Sequence, residues 1–319
     1  MLSKYLNPQN DVSFKKIFGT ESHKQVLIRF VNTILELEGP LAIEDVTYLN
    51  PFQAPRHEKA KQSIVDVLVK DKRDIRYIVE MQLAHTPFFQ KRAQYYAAKT
   101  YVAQLSKGES YPKLNQVYFI AIANAILFPE KASYKSLHLL KDDATGEHDL
   151  QDFFFTFIEL PKFKKQANEL KGIEDQWLYF LKHAAELDHI PAQLQDSAIQ
   201  EAFTILERFA WSEQELLAYE DAQLAIGDEI IGREWNYAKG KTEGKAEGLA
   251  EGLEKGKKEG RAEGEEIGLK KGREQGEQQG IQEGLEKTAK QMLAKGYELK
   301  AIQEITGLSV QQIGRLKRG

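Results

Sequence analysis

Residues 63–84 read SIVDVLVKDKRDIRYIVEMQLA, and the reading of this stretch decides the fold. Its first arm, SIVDVLVK (63–70), is rich in β-branched residues, and its second, DIRYIVEMQLA (74–84), has the same strand character. DKRD (71–74) at the junction is a polar tetrapeptide suited to a hairpin turn. Each arm interrupts its apolar run with one carboxylate, Asp66 in the first and Glu80 in the second. A carboxylate in such a context is costly to bury unless it is paired or binds a cation. Glu80 and Gln82 stand two positions apart, so a strand points both to one face. A hairpin brings Asp66 and Glu80 close enough to share one metal, and hard oxygen donors of this kind suit Mg²⁺ or Mn²⁺. Spacing alone leaves a second reading open, in which the two carboxylates line the solvent side of the strands.

Working outward, Asn10 or Asp11 predicts the N-cap of a short helix whose Phe14, Ile17 and Phe18 share a face, closed by Gly19. A second helix is expected over 23–37, and IEDVTYL (43–49) reads as a strand. NPFQAPR (50–56) is rich in turn residues. A long helix is expected after Pro87, running to about Ser106, and QVYFIAIA (116–123) and FFFTFIEL (153–160) read as fully buried strands. Together these predict an α/β core of about 160 residues, a mixed sheet flanked by helices. Residues 161–239 turn helical and acidic, with Trp177, Leu178, Phe180 and Leu181 on one apolar face.

From 240 to 284 a glycine occupies every fourth position, twelve in all, between fillers that are mostly Glu, Lys, Ala, Leu, Gln and Arg. Four residues advance a helix by about 400°, so successive glycines drift by roughly 40° around it. Each interior glycine costs about 1 kcal/mol against alanine. The expectation is a marginal helix that gains stability where the glycines let a second backbone approach, and hence a homo-oligomer through this segment; a plain spacer grown by repeat slippage is the rival reading. The closing segment, 288–319, has a helix–turn–helix pattern with apolar Leu293, Ile302, Ile305, Leu308, Ile313 and Leu316, breaks at Gly296 and Gly307, and Arg315, Lys317 and Arg318 in its last helix. Four regions are therefore expected: 1–160, 161–239, 240–287 and 288–319.

Bulk numbers exclude several classes. The 319 residues hold no cysteine, which removes disulfides, thiolate zinc sites and cysteine nucleophiles. Net charge is −4, with no strong basic field, so any nucleic-acid contact must come from local constellations. The opening MLSKYLNPQND lacks the apolar core of a signal peptide, and the longest apolar run, 117–128, is interrupted by Asn124 and too short to span a bilayer. The chain reads as cytoplasmic, with no membrane partner. No GxxxxGK[ST] loop is present, and the seven histidines show no metal-ligand spacing.

NDVSFKKIFG (10–19), VDVLV (65–69), YIVEMQ (77–82), FFQKRAQYYAAKTYVAQLSKGESY (88–111) and IELPKF (158–163), in that order, resemble the Rpn family of recombination-promoting nucleases and transposases. That family belongs to the PD-(D/E)XK nuclease superfamily and its members frequently end in glycine-period-four tails. The resemblance implies a restriction-endonuclease-like fold, DNA as substrate and phosphodiester hydrolysis that depends on a divalent metal. It implies Asp66 and Glu80 as the metal-binding carboxylates and Asp11 as an acidic residue of the first helix that approaches the metal. Gln82 falls where the superfamily usually has lysine, so it orients water but brings no charge, and a replacement cation is expected from the helix after Pro87. There Arg92, Tyr95, Tyr96 and Lys99 occupy neighbouring positions of one helical face, a basic and aromatic stripe suited to DNA phosphates. The rival from another class is a nuclease fold that binds DNA or protein without turnover.

Overall fold

The expected hairpin is present between Val67–Asp71 and Arg76–Gln82, with a break in its first arm, and residue 84 of the second arm lies outside the described residues. The computed structural model describes residues 3–53, 63–83, 86 and 88–317, which divide into two compact units, Met1–Arg233 and Glu234–Gly319. In chain order the strands are β1 (Val46–Tyr48), β2 (Phe52–Gln53), β3 (Ser63–Ile64), β4 (Val67–Asp71), β5 (Arg76–Gln82), β6 (Val117–Ala123), β7 (Lys135–Leu139) and β8 (Phe153–Glu159). The helices of the first unit are α1 (Asp11–Phe18), α2 (Lys24–Ile34), α3 (Phe89–Val102), α4 (Gly172–His183) and α5 (Ser197–Leu206). Residues 54–56 of the expected turn, Pro87 and Arg318 lie outside the described residues.

Six strands form one mixed sheet in the order β1-β4-β5-β6-β8-β7, while β2 and β3 pair separately. The central contacts β5–β6 and β6–β8 are parallel, and the outer ones, β1–β4, β4–β5 and β7–β8, are antiparallel. Parallel centre strands are covered on both faces, which explains why VYFIAIA has no polar alternation. The two faces sort by the parity of strand residues. Val67, Val69, Tyr77, Val79, Ile120 and Ile122 join a core with α1, α2, α4 and α5, where Phe18, Phe30 and Trp177 pack ring against ring at 4.9 and 5.3 Å. Leu68, Ile78, Phe119 and Ala121 face Phe89, Ala93 and Ala97 of α3, spaced one turn apart. Even-numbered Glu80 and Gln82 therefore point to the α3 side.

The expected apolar face Trp177, Leu178, Phe180 and Leu181 is fully buried, and it belongs to the same core as the sheet. Trp211 and Tyr219 complete that core, so the acidic segment is divided, its first part covering one face of the sheet. Strand β7 went unanticipated: KSLHL is an edge strand with no buried residue, so its sequence lacks a periodic apolar signal.

Helix α6 (Glu213–Ala294) contains all twelve ruler glycines. It is followed by α7 (Leu299–Thr306) and α8 (Val310–Leu316). In the second unit Ala289, Ile302, Leu308 and Ile313 form a small core, Gly307 takes the left-handed φ of 69° that closes α7, and Ser309 with Gln312 makes a capping box for α8. The helices and turn expected from the apolar spacing are thus formed, except that Ile305 is exposed on α7 and takes no part in that core.

Candidate active site

Register places the acid pair. Val67 is opposite Val79, so the next pair outward is Asp66 and Glu80. Asp66 lies in the break between β3 and β4 rather than inside a strand, and the break releases its backbone N–H from the ladder. That N–H donates to Glu80 Oε1 at 3.1 Å, while the Met81 N–H donates to Asp66 Oδ2 at 2.8 Å. Each carboxylate is thereby fastened to the other's segment. Glu80 and Gln82 are 5% and 8% exposed, which excludes the solvent-facing reading of this strand.

Electrostatics follow from burial. Desolvation pushes the Asp66 carboxyl up to about 6, and the charge of Asp11 adds to it, against the Met81 N–H and Lys15. Burial also lifts Glu80 well above the usual carboxylate range; the Asp66 charge adds, and Arg92 and Lys15 pull the other way.

Two helices bring the remaining groups. Asn10, not Asp11, caps α1: its side chain accepts from the Val12 N–H and donates to the Tyr219 carbonyl at 3.1 Å. Asp11 is left in the first turn, where its carboxylate meets Lys15 Nζ at 2.7 Å, and Lys15 also lies 3.8 Å from Asp66 Oδ1. From α3, Arg92 Nη2 donates to Gln82 Oε1, with its guanidinium 4.8 Å from the Phe89 ring centroid and 5.9 Å from that of Tyr96. Tyr95 is exposed, and Lys99 Nζ lies 5.8 Å from its ring, so the expected stripe splits into an Arg92–Tyr96 pair turned to the acids and a Lys99–Tyr95 pair further along α3.

Sequence reasoning missed Lys15, although its position four residues after Asp11 was a readable signal. It also missed what the IELPKF segment does. Glu159 ends β8 beside the ends of β5 and β6, and its Oε1 accepts from the Leu127 and Phe128 N–H groups at 2.6 and 3.0 Å. Lys162 donates to Glu159 and to the Phe128 carbonyl, both at 2.7 Å. The loop so held donates the Asn124 N–H to the Gln82 carbonyl at 2.8 Å, so a buried ion pair braces the strand end that carries the site.

The donor set suits a divalent cation: two adjacent carboxylates, Glu80 buried and Asp66 partly so, carry hard oxygens, and a cation held by them would offset the desolvation and mutual repulsion that raise both. Among the described residues no group of three or more His, Asp or Glu could hold a metal, so Asp66 and Glu80 are the two carboxylates that would hold one here.

A six-stranded mixed sheet covered by helices on both faces, with this acid pair at the end of its hairpin, has the α/β architecture of the PD-(D/E)XK nucleases. Residues 8–233 match the PD-(D/E)XK nuclease family transposases, and the chain belongs to that family. No significant match was found among curated proteins or among solved structures.

Proposed function

We propose that the chain is a divalent-metal-dependent DNA endonuclease of the cytoplasm, serving recombination or mobile DNA. The observation that supports it most is the cross-fastened acid pair, with Gln82 on the strand of Glu80 and with Asp11 and Lys15 from α1 and Arg92 from α3 brought to it. Asp66 and Glu80 would hold Mg²⁺ or Mn²⁺, and the chemistry such an ion supplies is charge on a phosphate oxygen and a more acidic water. Gln82 orients the attacking water through its amide, which has no proton chemistry near neutral pH. Asp11 turns its carboxylate toward the same space, and the two groups along α3, Arg92 near the acids and Lys99 with Tyr95 further along, hold the DNA backbone. The glycine-period helix joins a second copy of the chain: a methyl group at any ruler glycine meets nothing within 4 Å, so the chain's own packing leaves that surface open.

Gln82 in the usual lysine position favours a second reading, a nuclease fold that binds DNA without cutting it. Purified chain incubated with supercoiled plasmid and Mg²⁺, Mn²⁺ or EDTA separates the two. The endonuclease reading expects nicked and linear DNA with metal, none with EDTA, and none from a folded Asp66→Ala variant. Full cutting by that variant would overturn the site, and bound but intact DNA would establish the second reading.

A further inference from the structure

The site has a cation at the position where Gln82 brings none. Arg92 donates to the Gln82 side-chain oxygen Oε1, and the Phe89 and Tyr96 rings hold its plane without neutralising it. Its Nε is buried with no hydrogen-bond partner, and among the described residues no carboxylate forms an ion pair with it. A guanidinium oriented by an amide and two rings, near enough to Glu80 for their charges to interact but forming no ion pair with it, is available for an incoming anion. Lys15 differs, because its ammonium is matched by Asp11 at 2.7 Å. Planar N–H donors fit a phosphate better than a point charge does, and Arg stays charged at every relevant pH.

We propose that Arg92 is the catalytic cation of this site, delivered from helix α3 to contact the scissile phosphate where the superfamily's lysine would act from strand β5. The inference rests on the endonuclease reading. In the step it serves, a water oxygen bonds to phosphorus and one ester P–O bond breaks. The water gives up a proton to solvent and the leaving oxygen gains one from solvent. Arg92 neither gains nor loses a proton; it stabilises the charge that grows on the phosphate oxygens during attack.

The test uses the full chain in five forms: parent, Arg92→Gln, Arg92→Lys, Lys15→Gln, and the double variant Gln82→Lys with Arg92→Gln. Circular dichroism verifies folding, and steady-state cleavage of a labelled duplex with Mg²⁺ gives kcat and KM. Arg92→Gln is expected to lower kcat by about 10²–10³, the loss typical of one preorganised donor, with KM moving far less. Arg92→Lys falls between it and the parent. The double variant regains most of the lost kcat, because the charge returns to the same place from the strand. Lys15→Gln loses less than Arg92→Gln. A folded Arg92→Gln variant that cuts like the parent, one that changes KM alone, or a double variant no faster than Arg92→Gln overturns the assignment. A parent that binds the duplex and leaves it intact overturns the endonuclease reading as well, so the two failures are distinguishable.

Discussion

Asp66 shows how a single residue's surroundings become a measurable property. Its carboxyl lies at about 6 in the folded protein, with burial the main cause, against roughly 3.9 for an unperturbed aspartate. The folded state thus holds the proton more tightly than the unfolded state. Ionising Asp66 costs nothing in stability below about pH 4, costs progressively more between 4 and 6, and carries its full penalty above 6. Metal-free Asp66→Asn is therefore expected to melt several degrees above the parent at pH 7.5 and close to it at pH 4, since 1 kcal/mol moves Tm by roughly 2–4 °C at this size. Scanning calorimetry at the two pH values in EDTA checks this, and an advantage equal at both pH values would refute it. Protons compete for the same oxygens, so divalent-metal affinity by isothermal titration is expected to weaken as pH falls through 6.

At the scale of elements, the site depends on how strand ends and helix starts are held. Asn10 caps α1 and ties it to Tyr219, which frees Asp11 to face Lys15 and Asp66. The Glu159–Lys162 pair, 1% and 10% exposed at the side chains, holds the loop after β6 against the Gln82 end of β5. Removing one partner of a buried pair strands the other, at about 3–5 kcal/mol. Glu159→Ala is expected to lose stability on that scale in urea, whereas a Glu159→Gln variant, which can still accept from Leu127 and Phe128, loses less. If Glu159→Ala unfolds at the parent's urea midpoint, the brace contributes nothing.

For the whole molecule, every group of the candidate site falls in Met1–Arg233, and all twelve ruler glycines fall in Glu234–Gly319. A 1–233 fragment keeps the full sheet core and is expected to retain metal-dependent cutting. Alanine at alternate ruler glycines strengthens an isolated helix by about 1 kcal/mol per site but blocks close backbone approach. In the full chain this change is expected to raise helicity and lower the mass by light scattering toward a monomer. Equal monomeric masses for full chain, fragment and alanine variant would exclude assembly through the tail, and loss of cutting by the fragment would show that the tail takes part in the chemistry.

Much of this was legible in residues 63–84 because strand periodicity is a local property: alternating side chains put Glu80 and Gln82 on one face, and the polar DKRD turn fixed the partner arm. The glycine helix and its terminal turn were equally local, governed by period and by Gly307. Tertiary structure decided what depends on elements distant in the chain. It buried Glu80 beside a partly buried Asp66, gave the cap to Asn10 and so released Asp11, and rotated α3 so that Arg92 meets Gln82 while Lys99 turns to Tyr95. It also drew Trp177 and Tyr219 into the core of the sheet and left the edge strand β7 almost silent in its own sequence. Sequence by itself determined which residues can share a face; packing of distant helices on the sheet determined which faces meet, because contact, burial and charge pairing are set by neighbours that no local pattern encodes.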